Sequence, residues 1–314
     1  MEWQNTILSR TFNDIRLAPV LIITAGICWG MIGIFTRELS ALGFSSVQIT
    51  GARCGITALC MIICLLAADR SKLKIHPKDI WMFIGTGIFS IVFFNICYFT
   101  SIQYLTLSMA SLLLYTAPCF VMLMSLYLFH EKMSMQKGLA LLLSLAGCAF
   151  TAGIVGGGVQ NITCVGILIG LGSGFGYALY TIFARIAVKK YHPLTITAYT
   201  FIVAAVGILP VCNPGEMIML AAGSPGILQN VLMLAILCTV IPYFLYTKGL
   251  KNIEAGKASV MAFVEPMIAT LIGIFLFNEQ MTLQNMAGVV LIFAAIVLLN
   301  LKIFPHEPRE NKTG

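Results

Sequence analysis

The sequence predicts an all-α polytopic membrane protein with ten transmembrane helices, arranged as two inverted five-helix repeats. Three observations predict this fold: an apolar composition, an alternating pattern of basic residues and an internal repeat. Of the 314 residues, 59% are hydrophobic and only 10% are charged. A soluble domain carries about 25% charged residues. This chain therefore has too little polar surface to face water on all sides.

Ten apolar runs, separated by short polar patches, indicate the helices. Runs of about 20 apolar residues are long enough to cross a bilayer. In chain order the runs cover residues 18–36, 45–67, 79–103, 108–130, 136–155, 163–185, 194–212, 227–248, 256–277 and 284–303.

The basic residues predict the orientation of these runs. Of the 19 Lys and Arg residues, 17 lie in connections and termini on one predicted face. The opposite face carries only Arg37, and Arg53 lies within the second run. Because cytoplasmic connections are enriched in Lys and Arg, we expect both termini in the cytoplasm and the protein in the cell (inner or plasma) membrane. The net charge of +7 thus reflects topology, and no basic stripe with interleaved aromatic residues suggests nucleic-acid binding.

One segment of the chain occurs twice. Residues 110–136 and 258–284, offset by 148, are identical at nine of 27 positions, including an Ala-Ser start, a proline and a Leu-Phe-x-Glu-x-Met exit. The same offset relates Tyr98 to Tyr246. The first and sixth runs match more loosely, as GICWG (26–30) and GSGFG (172–176) at an offset of 146.

The repeat unit has five helices, an odd number, so its two copies must face opposite ways across the bilayer. We predict a first unit at 18–155 and a second, inverted unit at 163–303. Inverted repeats are typical of secondary transporters, with the substrate site near the midplane between the halves.

In these features the sequence resembles the EamA family of the drug/metabolite transporter superfamily. The resemblance rests on five plus five helices, the paired AS-x6-P-x10-F-x-E blocks, the Cys28-Trp29-Gly30 stretch and the Glu265-Pro266 pair. It covers the chain from about Pro19 to Lys302. It implies a ten-helix transporter of small metabolites, often amino acids, that works without ATP.

Arg53 and Glu265 are the two charged residues well inside a run. Each lies about 8 residues, or about 12 Å, from the nearest membrane face. A charge at the bilayer centre costs about 2.5–3.5 kcal/mol on insertion scales, so it must face protein or a wet cavity. Glu265 is a candidate to bind a proton or a cationic group, and Arg53 a candidate for a substrate carboxylate. Alternatively, the two neutralise each other, or Arg53 extends toward the outer interface.

Other residues are candidates for the same region. Pro118 and Pro266 occupy equivalent places in the repeat and predict a bend or hinge in the fourth and ninth helices. Polar and aromatic candidates for a pocket are Trp29, Asn95, Tyr98, Tyr177 and Tyr180, each of which could equally serve packing. Glu131 and Glu279 precede the possible helix caps Ser134 and Thr282, so we expect solvated side chains there. The alternative is a gating role, because the two residues lie on opposite predicted faces.

These observations predict a secondary transporter that moves a small polar or zwitterionic metabolite by alternating access, with protons as coupling ion. The substrate class of amino acids or related compounds, and the direction of export, follow from the family resemblance. The alternative is a multidrug exporter of lipophilic cations. We expect no enzyme, because HExxH, GxGD and deep histidines are absent from the sequence. We also expect no cofactor and no metal site, and a monomer or homodimer.

Overall fold

The computed structural model of the chain describes residues 17–154, 163–222 and 225–301, and within these ranges the secondary structure is helical without β-strands. Eight helices are long and apolar enough to cross a bilayer. We label them with two shorter apolar helices in chain order: α1 (Leu17–Ala41), α2 (Ser46–Ala67), α3 (Pro77–Ser101), α4 (Leu107–Leu128), α5 (Met135–Thr151), α6 (Cys164–Ala187), α7 (Pro193–Ile208), α8 (Gly226–Leu250), α9 (Ala255–Phe277) and α10 (Leu283–Asn300).

The two shorter helices, α5 and α7, have 17 and 16 residues. At 1.5 Å per residue they extend about 24–26 Å, slightly less than the hydrocarbon core of about 30 Å. Helix α7 is shorter than the predicted run because the chain turns after Ile208, with Asn213 at a φ of 46°. A further short helix, Pro214–Ala222, follows this turn. The chain is thus a multi-pass membrane protein, and a total of ten crossings stays a prediction.

The connections lie at two ends of the helix bundle. We call the end with connections 68–76, 129–134, 188–192 and 251–254 the closed face, and the end with 42–45, 102–106, 209–213 and 278–282 the open face. Lys190 at the closed face lies 2.8 Å from Asp79, and Arg37 at the open face lies 2.5 Å from Glu279. These ion pairs join segments that the basic-residue pattern places on the same side.

Helix starts agree with the residue types found there. The hydroxyl of Ser134 accepts a hydrogen bond from the Lys137 backbone N–H at 3.2 Å, and that of Thr282 accepts one from Asn285 at 3.1 Å. Both predicted caps are therefore confirmed, since such hydroxyls satisfy N–H groups that lack a partner in the first helical turn.

Helices α4 and α9 each contain a short irregular turn just before the proline. Helix α4 consists of Leu107–Leu114 and Ala117–Leu128, and α9 of Ala255–Met261 and Val264–Phe277. Each proline lies in the first turn of the second part, where its missing N–H costs least. Helices α3 and α8 also match each other, because each contains a π-helical segment, at Gly85–Val92 and Ile236–Val240.

Glycines allow α1 and α6 to approach these irregular turns closely. A Cβ atom added to Gly26 of α1 would lie 3.0 Å from the Ala262 carbonyl oxygen, and one added to Gly174 of α6 would lie 3.2 Å from that of Leu114. Gly26 and Gly174 thus occupy matching places at an offset of 148. This is the offset of the repeat in α4 and α9, and it is two residues more than the looser offset of 146 predicted from GICWG and GSGFG.

Candidate functional site

A cavity of about 570 Å³ opens at the open face and reaches the middle of the bundle. Its inner part is lined by Arg53 and Glu265, and its mouth by the exposed residues Arg37, Ser46 and Leu107. Six of the seven predicted pocket residues line it: Trp29, Arg53, Asn95, Tyr98, Tyr177 and Glu265. A cavity of this size is in the range of small-molecule sites.

Arg53, on α2, is the most unusual side chain of the cavity. Only 7% of its surface is exposed, and its Nε atom has no hydrogen-bond partner among the described residues. It does not extend to the outer interface, which was one alternative for this residue. A buried donor without a partner is costly. The guanidinium therefore remains available to a ligand that enters the cavity.

Glu265, in the first turn of the second part of α9, lies at the inner end of the cavity. Its Oε2 atom accepts a hydrogen bond from the Tyr177 hydroxyl at 3.2 Å. Arg53 is near enough for an electrostatic interaction with Glu265, but the two side chains do not form an ion pair. They share one cavity without neutralising each other through direct contact. The predicted alternative of a direct pair is thus wrong for this conformation.

The cavity wall between these charges is polar and aromatic. Asn95 donates to the Ile91 carbonyl at 2.7 Å and accepts from the Thr50 hydroxyl at 3.3 Å. The Tyr98 hydroxyl lies 2.9 Å from that of Ser111. These bonds hold side chains of α2, α3 and α4 in place around the cavity.

An aromatic cluster separates the cavity from the closed face. Trp29 packs against Tyr243 and Tyr246, with ring centroids 5.2 and 5.3 Å apart, and Tyr180 packs against Tyr243 at 4.9 Å. Tyr180 is 3% exposed, and its hydroxyl lies 2.7 Å from that of Thr247. Tyr180 therefore belongs to this cluster and does not line the large cavity.

The two prolines lie next to the cluster. Pro118 lines a small void of about 20 Å³, together with Trp29, Tyr180 and Glu265, which is space for about one water molecule. Pro266 is buried directly after Glu265. Both prolines lie at the inner end of the cavity, although neither lines the large cavity itself.

Sequence reasoning missed some lining residues. Arg37 and Tyr243 line the cavity. Arg37 lies at a helix end, which gave no signal, whereas the match of Tyr243 to the candidate Asn95 at the offset of 148 was a usable signal. Tyr115 also lines it, and its place three residues before Pro118 was a usable signal. In the described ranges no group of three His, Cys, Asp or Glu side chains could hold a metal ion.

Apolar helices surround a cavity that is lined by the buried Arg53 and the half-buried Glu265. This is the architecture of a multi-pass membrane protein with a polar internal site. A family model for the EamA-like transporter family matches the chain at residues 16–153 and again at 165–301. The chain belongs to the EamA-like transporter family.

Individual relatives agree with this assignment. An uncharacterized transporter of Archaeoglobus fulgidus is 27% identical over 288 residues, which cover 91% of this chain and 97% of the relative. The uncharacterized transporter YwfM of Bacillus subtilis is 23% identical over 252 residues, covering 80% and 82%. A crystal structure aligns with a TM-score of 0.75 and 19% identity, covering 90% of this chain and 95% of the other. That structural likeness supports the fold alone.

Proposed function

We propose that this protein is a secondary transporter that moves a small polar or zwitterionic metabolite across the cell membrane by alternating access. The observation that carries the proposal is the cavity that Arg53 and Glu265 share without forming an ion pair. Membership of a transporter family supports the transport function.

The substrate class follows from the two charges. The Arg53 guanidinium suits a carboxylate, because its planar donors match the two oxygens. Glu265 suits an ammonium group, and Tyr177 holds its carboxylate in place. A zwitterion such as an amino acid carries both partners in one small molecule. It would reduce the cost of holding two charges deep in the bundle, which is a reason for binding at this depth.

We further propose ten transmembrane helices in two inverted repeats, 18–155 and 163–303, with both termini in the cytoplasm. The two separate matches of the family model support the repeat. So do the paired irregular turns in α4 and α9 and the paired π-helical segments in α3 and α8. With this orientation the closed face is cytoplasmic and the cavity opens to the outside.

Glu265 is our proposed proton site. It is a half-buried carboxylate at the inner end of the cavity, and it has no counterpart in the other repeat, where Ala117 occupies the matching place. Proton binding at Glu265 would compete with an ammonium group for the same oxygens. This competition would couple proton entry to export of the substrate.

A second candidate is a multidrug exporter of lipophilic cations. The aromatic lining favours it, because Tyr115, Tyr177 and Tyr243 all line the cavity and aromatic faces attract cations. Arg53 opposes it, since an unpaired guanidinium in the same cavity repels a cation. A thermal-shift screen of the purified protein separates the two candidates, because ligands that bind the native state stabilise it. Shifts with lipophilic cations and none with amino acids would favour the second.

The main test uses Glu265→Gln in proteoliposomes, with a zwitterion that the screen identifies. We expect this variant to lose accumulation driven by a pH gradient while retaining exchange of labelled for unlabelled substrate. Glu38→Gln is the matched control, because Glu38 is an exposed carboxylate that accepts a bond from Asn230 at 2.6 Å, away from the cavity. Unchanged accumulation by Glu265→Gln would refute the proton role.

A further inference from the structure

Two glutamates occupy equivalent places at the ends of α4 and α9. His130 and Asn278, the residues just before them, both have left-handed backbone conformations, with φ of 52° and 53°. The N–H groups of Glu131 and Glu279 each donate to the carbonyl six residues earlier, at 3.2 and 3.0 Å. The backbone therefore leaves both helices in the same way, and the two carboxylates begin from matching positions.

Glu131, at the closed face, joins the end of α4 to the start of α9. Its carboxylate accepts hydrogen bonds from the backbone N–H groups of Ala255 at 2.8 Å and Gly256 at 3.2 Å. These are the first two N–H groups of α9, which have no partner within their own helix. A carboxylate at a helix start is also favoured by the helix dipole. Glu131 thus stabilises the closed arrangement of this face.

Glu279, at the open face, has a different partner. It forms an ion pair with Arg37 at 2.5 Å, in which both side chains are about half exposed. The offset of 148 identifies Leu107 and Ser108 as the residues that match the two partners of Glu131. In the described part of the chain the N–H groups of Leu107 and Ser108 have no hydrogen-bond partner, since the Thr106 hydroxyl caps only the third N–H of this helix.

The start of α4 lies at the mouth of the cavity, and its first N–H groups have no partner within their own helix. Leu107 is 60% exposed and lines the mouth of the cavity, as does Arg37. The start of α4 and the end of α9 therefore lie beside the opening, where closing the mouth would bring them together. At the closed face the equivalent helix ends are already joined by Glu131.

We propose that Glu131 and Glu279 are alternating latches, each of which caps the start of the other repeat's broken helix when its face closes. In the conformation described here, Glu131 caps α9 and Glu279 is held aside by Arg37. In the opposite conformation, Glu279 leaves Arg37 and accepts the N–H groups of Leu107 and Ser108, while Glu131 releases Ala255 and Gly256. The inference rests on the alternating access of the proposed function, but not on any substrate or coupling ion.

Hydrogen–deuterium exchange of the full chain in lipid nanodiscs, without ligand, tests this proposal. Glu131→Ala is expected to speed exchange in peptides that contain residues 255–256. It is also expected to slow exchange at 107–108, at the other end of the bundle, because the population shifts toward the Glu279-capped conformation. The expected shift in the ratio of the two conformations is about fivefold, which corresponds to the loss of one helix cap.

Two further variants separate a latch from a local structural role. Arg37→Ala frees Glu279 and is expected to slow exchange at 107–108, as Glu131→Ala does, although Arg37 is exposed and lies at the face opposite to Glu131. Glu131→Ala combined with Glu279→Ala is expected to abolish the slowing at 107–108. Faster exchange at 255–256 with no change at 107–108, or slowing that persists in the double variant, would overturn the proposal.

The outcome is independent of the transport assay. If the hydrogen–deuterium exchange results support the latches but the protein accumulates no substrate in proteoliposomes, the proposed transport function is contradicted and the latch proposal stands. If the protein accumulates substrate but the expected hydrogen–deuterium exchange changes are absent, only the latch proposal is contradicted.

Discussion

Replacement of Arg53 by methionine is expected to stabilise the protein while removing its affinity for carboxylates. Methionine keeps an unbranched apolar chain and removes the guanidinium. In the structure Arg53 is only 7% exposed, and its Nε has no hydrogen-bond partner among the described residues. Functional residues in such unfavourable positions often lower the stability of the folded protein.

The size of the effect follows from these contacts. A charged side chain at the bilayer centre costs about 2.5–3.5 kcal/mol on insertion scales. A buried hydrogen-bond donor that has no partner destabilises the folded state by about 1–3 kcal/mol. The attraction between Arg53 and Glu265 and the access to cavity water offset part of it. We therefore expect a net stabilisation of about 1–2 kcal/mol, observed as a rise of a few degrees in the midpoint of thermal unfolding.

The assay is thermal unfolding of purified protein in detergent, with and without an amino acid that stabilises the wild type. Arg53→Met is expected to unfold at a higher temperature and to show no further rise with the amino acid. Arg185→Met is the matched control, because the Arg185 guanidinium donates to the buried Leu250 carbonyl. Its loss is expected to lower the unfolding temperature. An Arg53→Met protein less stable than the wild type would refute the reasoning, since Arg53 would then serve the fold.

Two other predictions concern packing and pH. Gly30→Ala is expected to destabilise the protein by about 1–3 kcal/mol, because the added Cβ would lie 2.8 Å from the Glu265 carbonyl oxygen. Gly33→Ala is the control, since an added Cβ there would have no atom within 4 Å. It is expected to be neutral or slightly stabilising in thermal unfolding. His192, whose Nδ1 accepts the Leu194 N–H at 3.2 Å, has a pKa lowered by partial loss of water contact and by the nearby charges of Lys72, Lys251 and Lys248. As the pH falls, His192 therefore becomes protonated at a higher pH in the unfolded chain than in the folded protein. The free energy of unfolding is expected to decrease as the pH drops below about 6.5. His192→Asn keeps an acceptor and should lose this dependence in unfolding midpoints measured from pH 7.5 to 5; equal profiles would contradict the assignment.

Much of the helical framework was predictable because it depends on local chemistry. Apolar runs must form helices in a bilayer, where every backbone group needs a partner, and so the helix positions and the caps at Ser134 and Thr282 followed from the residues. The seventh run was the exception, since the turn after Ile208 interrupts an apolar stretch. Hydropathy alone does not detect such a turn.

The site was predictable in its members and less so in its arrangement. Arg53 and Glu265 stood out because the bilayer makes buried charges costly. Whether they pair depends on how α2 and α9, about 200 residues apart in the chain, are positioned around the cavity. Tyr180 was a candidate for the pocket wall, but packing against Tyr243 places it in the aromatic cluster.

The sequence by itself determined which segments are helical, where α4 and α9 are interrupted and which two charges lie deep in the bundle, because these properties depend on neighbouring residues and on the solvent. Only the tertiary structure decided which face is open and what each glutamate binds. Glu131 and Glu279 leave their helices with the same backbone geometry, yet one caps α9 and the other pairs with Arg37. Local sequence cannot distinguish them, because their partners are supplied by helices of the other half.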